Sequence, residues 1–486
     1  MFCSFSRNLN SKLIIEFIER WVTGMEDFNR HLSEKEILEI TKSAMHKTFG
    51  DFGLDASYTG RNKGGLGGFV EEKIFKYSSN NDDNPDFIDA GIELKVTPIK
   101  KNLDGSISSK ERLVLNMINY KNEAIATFKT SSFYRKNKRL LIWFYLYSMG
   151  VHPSNFEITD YYLLEFEDSL QYKVIERDWN IIHDKIVQGK AHEISESDTE
   201  FLAACTKGAN SSVLVEQYNS SILAKPRAYS FKSFFMTYIY RNMIHNLSPY
   251  SPLVSEDEWM KNPLEEIYKE KLSAYHGMTQ KQLCRKFHVN SNAKQLNFML
   301  AQKMLGIYGK SKATVEMEIA GIIFRTITVD RNGRPTESMP FKAFEFEELI
   351  NTPWEESTIR EDFVDLKLML FVFKEIDGVI TFDKICFWNA PNKIVDGVIK
   401  KMHEECADLV RKGEAFYFDK NGNIKDKFPK ENRNSNKVCH VRPHARRHED
   451  KYVLPVPDKE TGIAEFTKQS FWFNKDFVEK IVKNGD

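Results

Sequence analysis

The chain has 486 residues, 41% hydrophobic and 28% charged, which is ordinary globular usage and excludes long disorder, collagen-like repeats and disulfide miniproteins. At roughly 100–200 residues per domain it is too long for one core. Lys plus Arg and Asp plus Glu both number 69, so bulk charge marks no nucleic-acid partner, and local basic clusters have to carry any such reading.

Residues 1–27 read as a separate amphipathic leader, to which no function is assigned, and Met25 is a second candidate start. The early run LIIEFIERW carries Glu16, Glu19 and Arg20, unlike a signal peptide. Ser33 with Glu36 forms a capping box before a helical pattern. From Gly50 to Gly68 the chain is rich in Gly, Asn and Ser and reads as a loop. Its GGLGG (64–68) lacks both a G-K-[ST] ending and a preceding strand, so ATP binding is rejected. FVEEKIFKY then has helical spacing, and PDFIDAGIELKVTPI (85–99) alternates about a turn like two short strands.

LLIWFYLYS (140–148) reads as a fully buried strand, and the LLIWFYLYSMG run is about half a membrane span, so a cytoplasmic protein is expected. IERDWNIIHDKIVQGK (175–190) and SFKSFFMTYIYRNMI (230–244) read as helices, which makes the class mixed α/β. NLSPYSPLVSEDEW (246–259) breaks the periodicity like a linker. The six cysteines, at 3, 205, 284, 386, 406 and 439, form no C-x-x-C pair and read as reduced thiols.

Beyond the linker the chain repeats itself. LGGFVEEKIF (66–75) aligns without gaps to LNFMLAQKML (296–305), and AGIELKVTPI (90–99) to AGIIFRTITV (320–329), both at an offset of 230 positions. LLIWF meets LFVFK, and GANS…RAYSFKSFFM has a counterpart in RPHARR…TKQSFWFN. Two copies of one domain are therefore expected, 28–245 and 261–486, joined by a linker at 246–260.

Asp86, Glu93 and Lys95 form a D-x6-E-x-K pattern, with Glu93 and Lys95 on one face of a predicted strand. Phosphodiester hydrolysis needs such a set: two carboxylates to hold a hard, oxygen-loving Mg²⁺ and an ammonium to orient water and offset developing charge. Asp86 and Glu93 are the expected metal ligands. YRKNKR places Arg135, Lys136, Lys138 and Arg139 in a dense positive patch suited to phosphates.

These residues resemble the PD-(D/E)xK nucleases, and within them the MutH mismatch-repair nickase together with type II restriction endonucleases that cut GATC. The resemblance spans nearly the whole chain. It rests on DFIDAGIELKVTPI as the family's catalytic hairpin, on Glu72 lying 14 residues before Asp86 after Gly68 in a G-x-x-x-E pattern, and on SSKERLVLNMINY and TSSFYRKNKRLLIWF. It implies a restriction-endonuclease-like fold, a mixed sheet flanked by helices, in two tandem copies. It implies Glu72 in the acidic cluster and Lys136 as a second active-site lysine. It implies DNA contacts from Lys138, from Lys207 in the CTKGAN loop, where Cys205 replaces an expected arginine, and from Arg227, Tyr229, Ser230 and Lys232.

At the 230 offset the second copy has Gln302 for Glu72, Glu316 for Asp86, Ile323 for Glu93, Arg325 for Lys95 and Leu366 for Lys136, so it is expected not to cut. Its HVRPHARR, with Arg442, His444, Arg446 and Arg447, matches the family's DNA-reading loop, and Lys468 lies near the aromatic run FWF (471–473), read as core. His440, His444 and His448 are spaced by four, but Pro443 interrupts any helix and no metal site is assigned. The expected function is a Mg²⁺-dependent type II restriction endonuclease cutting double-stranded DNA before the G of GATC. The second copy is expected to bind the same or a second site, with DNA-induced self-association and a companion DNA methyltransferase. The rivals are a mismatch-repair-type GATC nickase and a non-catalytic GATC-binding regulator.

Overall fold

The computed structural model describes residues 29–484 except 56, 59–64, 79–83, 103–104, 149, 167–168, 208–212, 248–251, 309–312, 365–366, 432–435, 446 and 448. The leader at 1–27, part of the GGLGG loop, the GAN of CTKGAN, Leu366, Arg446 and His448 lie outside the described residues. The chain divides into two units, one running to Ile194 and resuming at Phe201–Ser248, the other comprising Ser195–Glu200 and Pro249–Asp486. The architecture of both is mixed α/β.

In the first unit, Ser33 caps the helix Glu34–Ala44 through the reciprocal bonds read from the sequence, its N–H donating to Glu36 Oε2 at 2.8 Å. The strands are β1 (Glu93–Lys101), β2 (Ile107–Ser109), β3 (Leu113–Met117), β4 (Arg139–Tyr147), β5 (Glu157–Glu165), β6 (Leu202–Thr206), β7 (Val215–Gln217), β8 (Ser220–Ala224) and β9 (Arg227–Phe231). The main sheet runs β2-β1-β4-β5, with β1 and β4 parallel and its other pairs antiparallel. A second sheet runs β3-β9-β6. Leu140 to Phe144 are fully buried at the centre of β4, because both faces of this inner strand are covered, which is why the run lacks alternation. On one face Leu94, Leu141 and Trp143 pack with Phe75, Phe87 and Ile92; the other face carries Glu93 and Lys95.

Three expectations are corrected here. The hairpin at 85–99 reduces to a single bridge between Phe87 and Ile92 ahead of β1, with Gly91 at φ +63° closing the turn. In SFKSFFMTYIYRNMI, the first residues complete β9, and the helix begins at Ser233 and passes into a π-helical turn, Ile239–Ile244. The presumed linker contains the start of a helix, Glu256–Lys261, capped by Ser255.

The second unit has β10 (Ile322–Val329), β11 (Met339–Phe344), β12 (Lys367–Ile376), β13 (Val379–Asn389), β14 (Phe416–Phe418), β15 (Ile424–Asp426), β16 (Cys439–Pro443), β17 (Lys451–Val453), β18 (Glu465–Thr467) and β19 (Gln469–Phe473). Its sheet β10-β12-β13 repeats the parallel-then-antiparallel order of β1-β4-β5, and β11-β19-β16 repeats β3-β9-β6. The register repeats as well: Glu93 lies opposite Leu140, and Ile323 opposite Leu368. β12 thus arrives two residues earlier than a constant offset of 230 requires, which moves the counterpart of Lys136 to Val364 rather than Leu366. The five described cysteines are buried and free.

Candidate active site

Short backbone bonds build the site at the entry to β1. Phe87 and Ile92 exchange N–H to carbonyl bonds at 2.9 and 3.1 Å, so the five-bond turn between them is fixed. The Asp86 N–H donates to Glu93 Oε2 at 3.2 Å, and the Leu94 N–H donates to Asp86 Oδ2 at 2.8 Å. The Glu93 carboxylate is thereby held by the backbone of Asp86, and the Asp86 carboxylate by the backbone of Leu94, the residue after Glu93.

Two ammonium groups converge on Glu93. Lys95 donates to its Oε1, and Lys136, from the last turn of the helix Ser132–Asn137, stands 3.8 Å from the same oxygen. Glu93 is 1% exposed. Burial, reinforced by Asp86, pushes its carboxyl above the usual range against the pull of Lys95 and Lys136. Burial draws Lys95 down, but Glu93, Asp86 and Glu71 outweigh it and hold the ammonium above the ordinary lysine value. Among the described residues no group of three or more His, Cys, Asp or Glu side chains is placed to share an ion. Two carboxylates alone suit a hard cation that keeps several of its waters, as Mg²⁺ does.

The acidic helix residue differs from the expectation. Glu72 is exposed, whereas Glu71 is half-buried and its charge is felt at Lys95 and at the buried Tyr77. The segment Val70–Phe75 is a π-helical turn, and its wider turn rotates the facing position by one residue. Sequence reasoning also missed Tyr77, a buried hydroxyl without a partner beside Asp86, and Arg30. Arg30 donates from Nε to the Asp86 carbonyl at 3.2 Å and from Nη2 to the Pro85 carbonyl at 3.3 Å, and its own carbonyl accepts from the Ile88 N–H at 2.8 Å. This contact spans over fifty residues, and no local pattern announces it.

The expected DNA contacts separate into two groups. Arg135 and Lys138 are exposed and Lys207 is half-buried. Arg139 is engaged, bonded to Glu34, Glu165 and the Ala90 carbonyl. Arg227, Tyr229, Ser230 and Lys232 are buried, which corrects the expectation that they face a duplex. β9 is the middle strand of its sheet and all five of its residues are buried, as is Lys232 just beyond it. The Arg227 guanidinium donates to the carbonyls of Ala204 and Ile194, and the Tyr229 hydroxyl donates to Glu123 at 2.9 Å.

In the second unit Arg442 is exposed on β16, three rungs from the Cys439–Phe473 pair; Cys205 is three rungs from Leu202–Phe231. Arg442 thus stands at the strand position that Cys205 occupies in the first unit. Its guanidinium lies 4.1 Å from the Trp472 ring centre, and exposed His444 meets the same ring edge-on at 5.4 Å. Half-buried Lys468 stands over Tyr452 at 4.6 Å. His440 is buried, and its Nδ1 is bonded to Asn474 Oδ1 at 2.7 Å.

The family model described as DNA mismatch repair enzyme MutH matches residues 75–178, which include Asp86, Glu93, Lys95 and Lys136. The chain is 36% identical over 445 residues to the type II restriction enzyme Sau3AI of Staphylococcus aureus, covering 85% of this chain and 91% of that protein. It is 28% identical over 178 residues to the DNA mismatch repair protein MutH of Buchnera aphidicola subsp. Baizongia pistaciae (strain Bp), covering 36% of this chain and 79% of the relative. Among the described residues no helix is long and apolar enough to cross a membrane. With a relative matched over most of both chains, and the MutH match lying over the paired carboxylates, the chain belongs to the MutH-like type II restriction endonucleases, site-specific enzymes that bind and cut DNA.

Proposed function

We propose that this cytoplasmic enzyme recognises GATC in duplex DNA and hydrolyses the phosphodiester before the G, leaving four-base overhangs. The observation that carries the catalytic part is the convergence of Lys95 and Lys136 on Glu93, itself locked to Asp86.

Asp86 and Glu93 would hold Mg²⁺, which when bound polarises the phosphate and eases deprotonation of water. Lys95 orients the attacking water, and Lys136 offsets charge on the phosphate. The acidic cluster is completed from the π-helical turn by Glu71 rather than Glu72. Lys138 and Lys207 contact the backbone in the first unit, and Arg442, His444 and Lys468 in the second. The second unit, a degenerate copy of the first, acts as effector or clamp, engaging the same GATC or another, with DNA-induced self-association. A companion DNA methyltransferase protects host sites.

The test is cleavage of equal-length duplexes carrying zero, one or two GATC sites, with Mg²⁺ or EDTA. Double-strand cuts confined to GATC with Mg²⁺, faster on two sites, are expected. Nicks alone would support the mismatch-repair-type reading, and binding without turnover the regulator. Equal rates on one-site and two-site DNA at low enzyme concentration would remove the effector role.

A further inference from the structure

The second unit keeps a cation where it has lost its carboxylates. Arg325 lies opposite Leu370 as Lys95 lies opposite Ile142, each two residues beyond the Ile323 or Glu93 position on the first strand of its sheet. Around Lys95 stand the negative charges of Glu93, Asp86 and Glu71. The positions equivalent to Glu93, Glu71 and Asp86 at the 230 offset are Ile323, Ala301 and Glu316. Among the described residues no carboxylate forms an ion pair with Arg325, and its one hydrogen bond runs to the Phe324 carbonyl at 3.3 Å. Burial lowers the pKa of the guanidinium. Glu316, the sequence counterpart of Asp86, is turned to other work: its Oε1 accepts from the Val254 N–H at 2.7 Å.

A partly buried cation without a counter-charge carries a desolvation cost that an aliphatic side chain, such as the neighbouring isoleucine, would not. Arginine stays charged in such a place and presents a planar fork that matches phosphate oxygens. Replacing Glu93 by isoleucine therefore does more than remove a metal ligand: it reverses the sign of the site.

We propose that the degenerate centre of the second unit is a metal-independent phosphate-binding site, in which Arg325 grips a phosphodiester of duplex DNA. This rests on the reading that the second unit binds DNA, and specifies one of its contacts. The first unit would meet a backbone phosphate through a cation held by carboxylates, the second through the guanidinium directly.

The experiment measures binding of a GATC duplex to the full chain in EDTA across a KCl series, for wild type, Arg325→Met, Arg325→Lys and Arg442→Ala, with thermal unfolding as the check on folding. Arg325→Met is expected to weaken binding roughly tenfold and to reduce the slope of log affinity against log salt by about 0.9, the loss of one phosphate contact. Arg325→Lys is expected to recover most of the slope. Full affinity and slope in folded Arg325→Met, with Arg442→Ala weakened, would overturn the proposal and leave DNA binding by the second unit standing; if neither variant weakened binding, both would fall. Inorganic phosphate serves as the second probe. A rise in melting temperature with phosphate that Arg325→Met abolishes, without any change in the DNA slope, would overturn the assignment to DNA in favour of a free phosphate ligand.

Discussion

Asp86 and Glu93 are tied to each other through the backbone, the Asp86 N–H donating to Glu93 Oε2 at 3.2 Å while Asp86 Oδ2 accepts from the Leu94 N–H at 2.8 Å. The acidic pair is therefore set by backbone hydrogen bonds at the entry to β1.

Asp86→Asn keeps an oxygen for the Leu94 N–H but loses the charge that a divalent cation needs. Cleavage should fall by about 10³-fold or more, as for loss of a group that stabilises transition-state charge. Affinity for a GATC duplex in EDTA should stay within about threefold of wild type. Single-turnover cleavage and an equilibrium titration measure the two quantities separately.

Glu71 and Glu72 are neighbours with different surroundings, one half-buried toward Lys95 and the other exposed. Glu71→Gln should slow cleavage by roughly 10–100-fold, the range of a group supporting a metal centre. Glu72→Gln should change it less than about threefold. The reverse order in the same single-turnover assay would return the role to Glu72.

The Tyr229 hydroxyl and the Trp179 Nε1 both donate to the buried carboxylate of Glu123, at 2.9 and 3.0 Å. Tyr229→Phe should therefore destabilise the first unit by about 1–3 kcal/mol, through the lost hydrogen bond to a charged group. DNA affinity should not change once the protein is folded. Urea unfolding followed by a binding titration distinguishes this from a residue that reads DNA.

His403 in the second unit is 3% exposed, packs against Trp354 at 5.0 Å, and has no partner at either ring nitrogen among the described residues. Burial first, then Arg411 and Lys400, lowers its pKa to about 4, with Glu355 opposing. The folded value lies below the unfolded one, so below about pH 6.5 the unfolded chain takes up a proton that the folded chain refuses. The resulting loss of stability begins as pH falls through 6.5, grows to about 3 kcal/mol near pH 4, and is absent above pH 7. Thermal unfolding at pH 8 and pH 5 should show a smaller shift for His403→Leu than for wild type.

Much of the candidate catalytic turn was legible because its pattern is local. Asp86, Glu93 and Lys95 lie within ten residues, and strand alternation alone puts the last two on one face. Lys136 was legible through resemblance, and the helix that carries it brings it to Glu93. Glu72 was placed by its 14-residue spacing from Asp86, and the structure has it exposed on a π-helical turn with its neighbour Glu71 half-buried. Arg30 was invisible because its partners are backbone carbonyls more than fifty residues away. Arg227, Tyr229, Ser230 and Lys232 were placed on DNA by resemblance alone, and the structure buries them in and just after β9. The repeat was visible at a single offset, but the two-residue shift at β12 appears only in the strand register.

The most direct test of the central claim is end sequencing of plasmid fragments after incubation with wild type or Asp86→Ala, each with Mg²⁺ or EDTA. The account predicts GATC-ended double-strand fragments from wild type with Mg²⁺ and intact plasmid in the other three reactions. Cleavage by Asp86→Ala at the wild-type rate, or by wild type in EDTA, would contradict it.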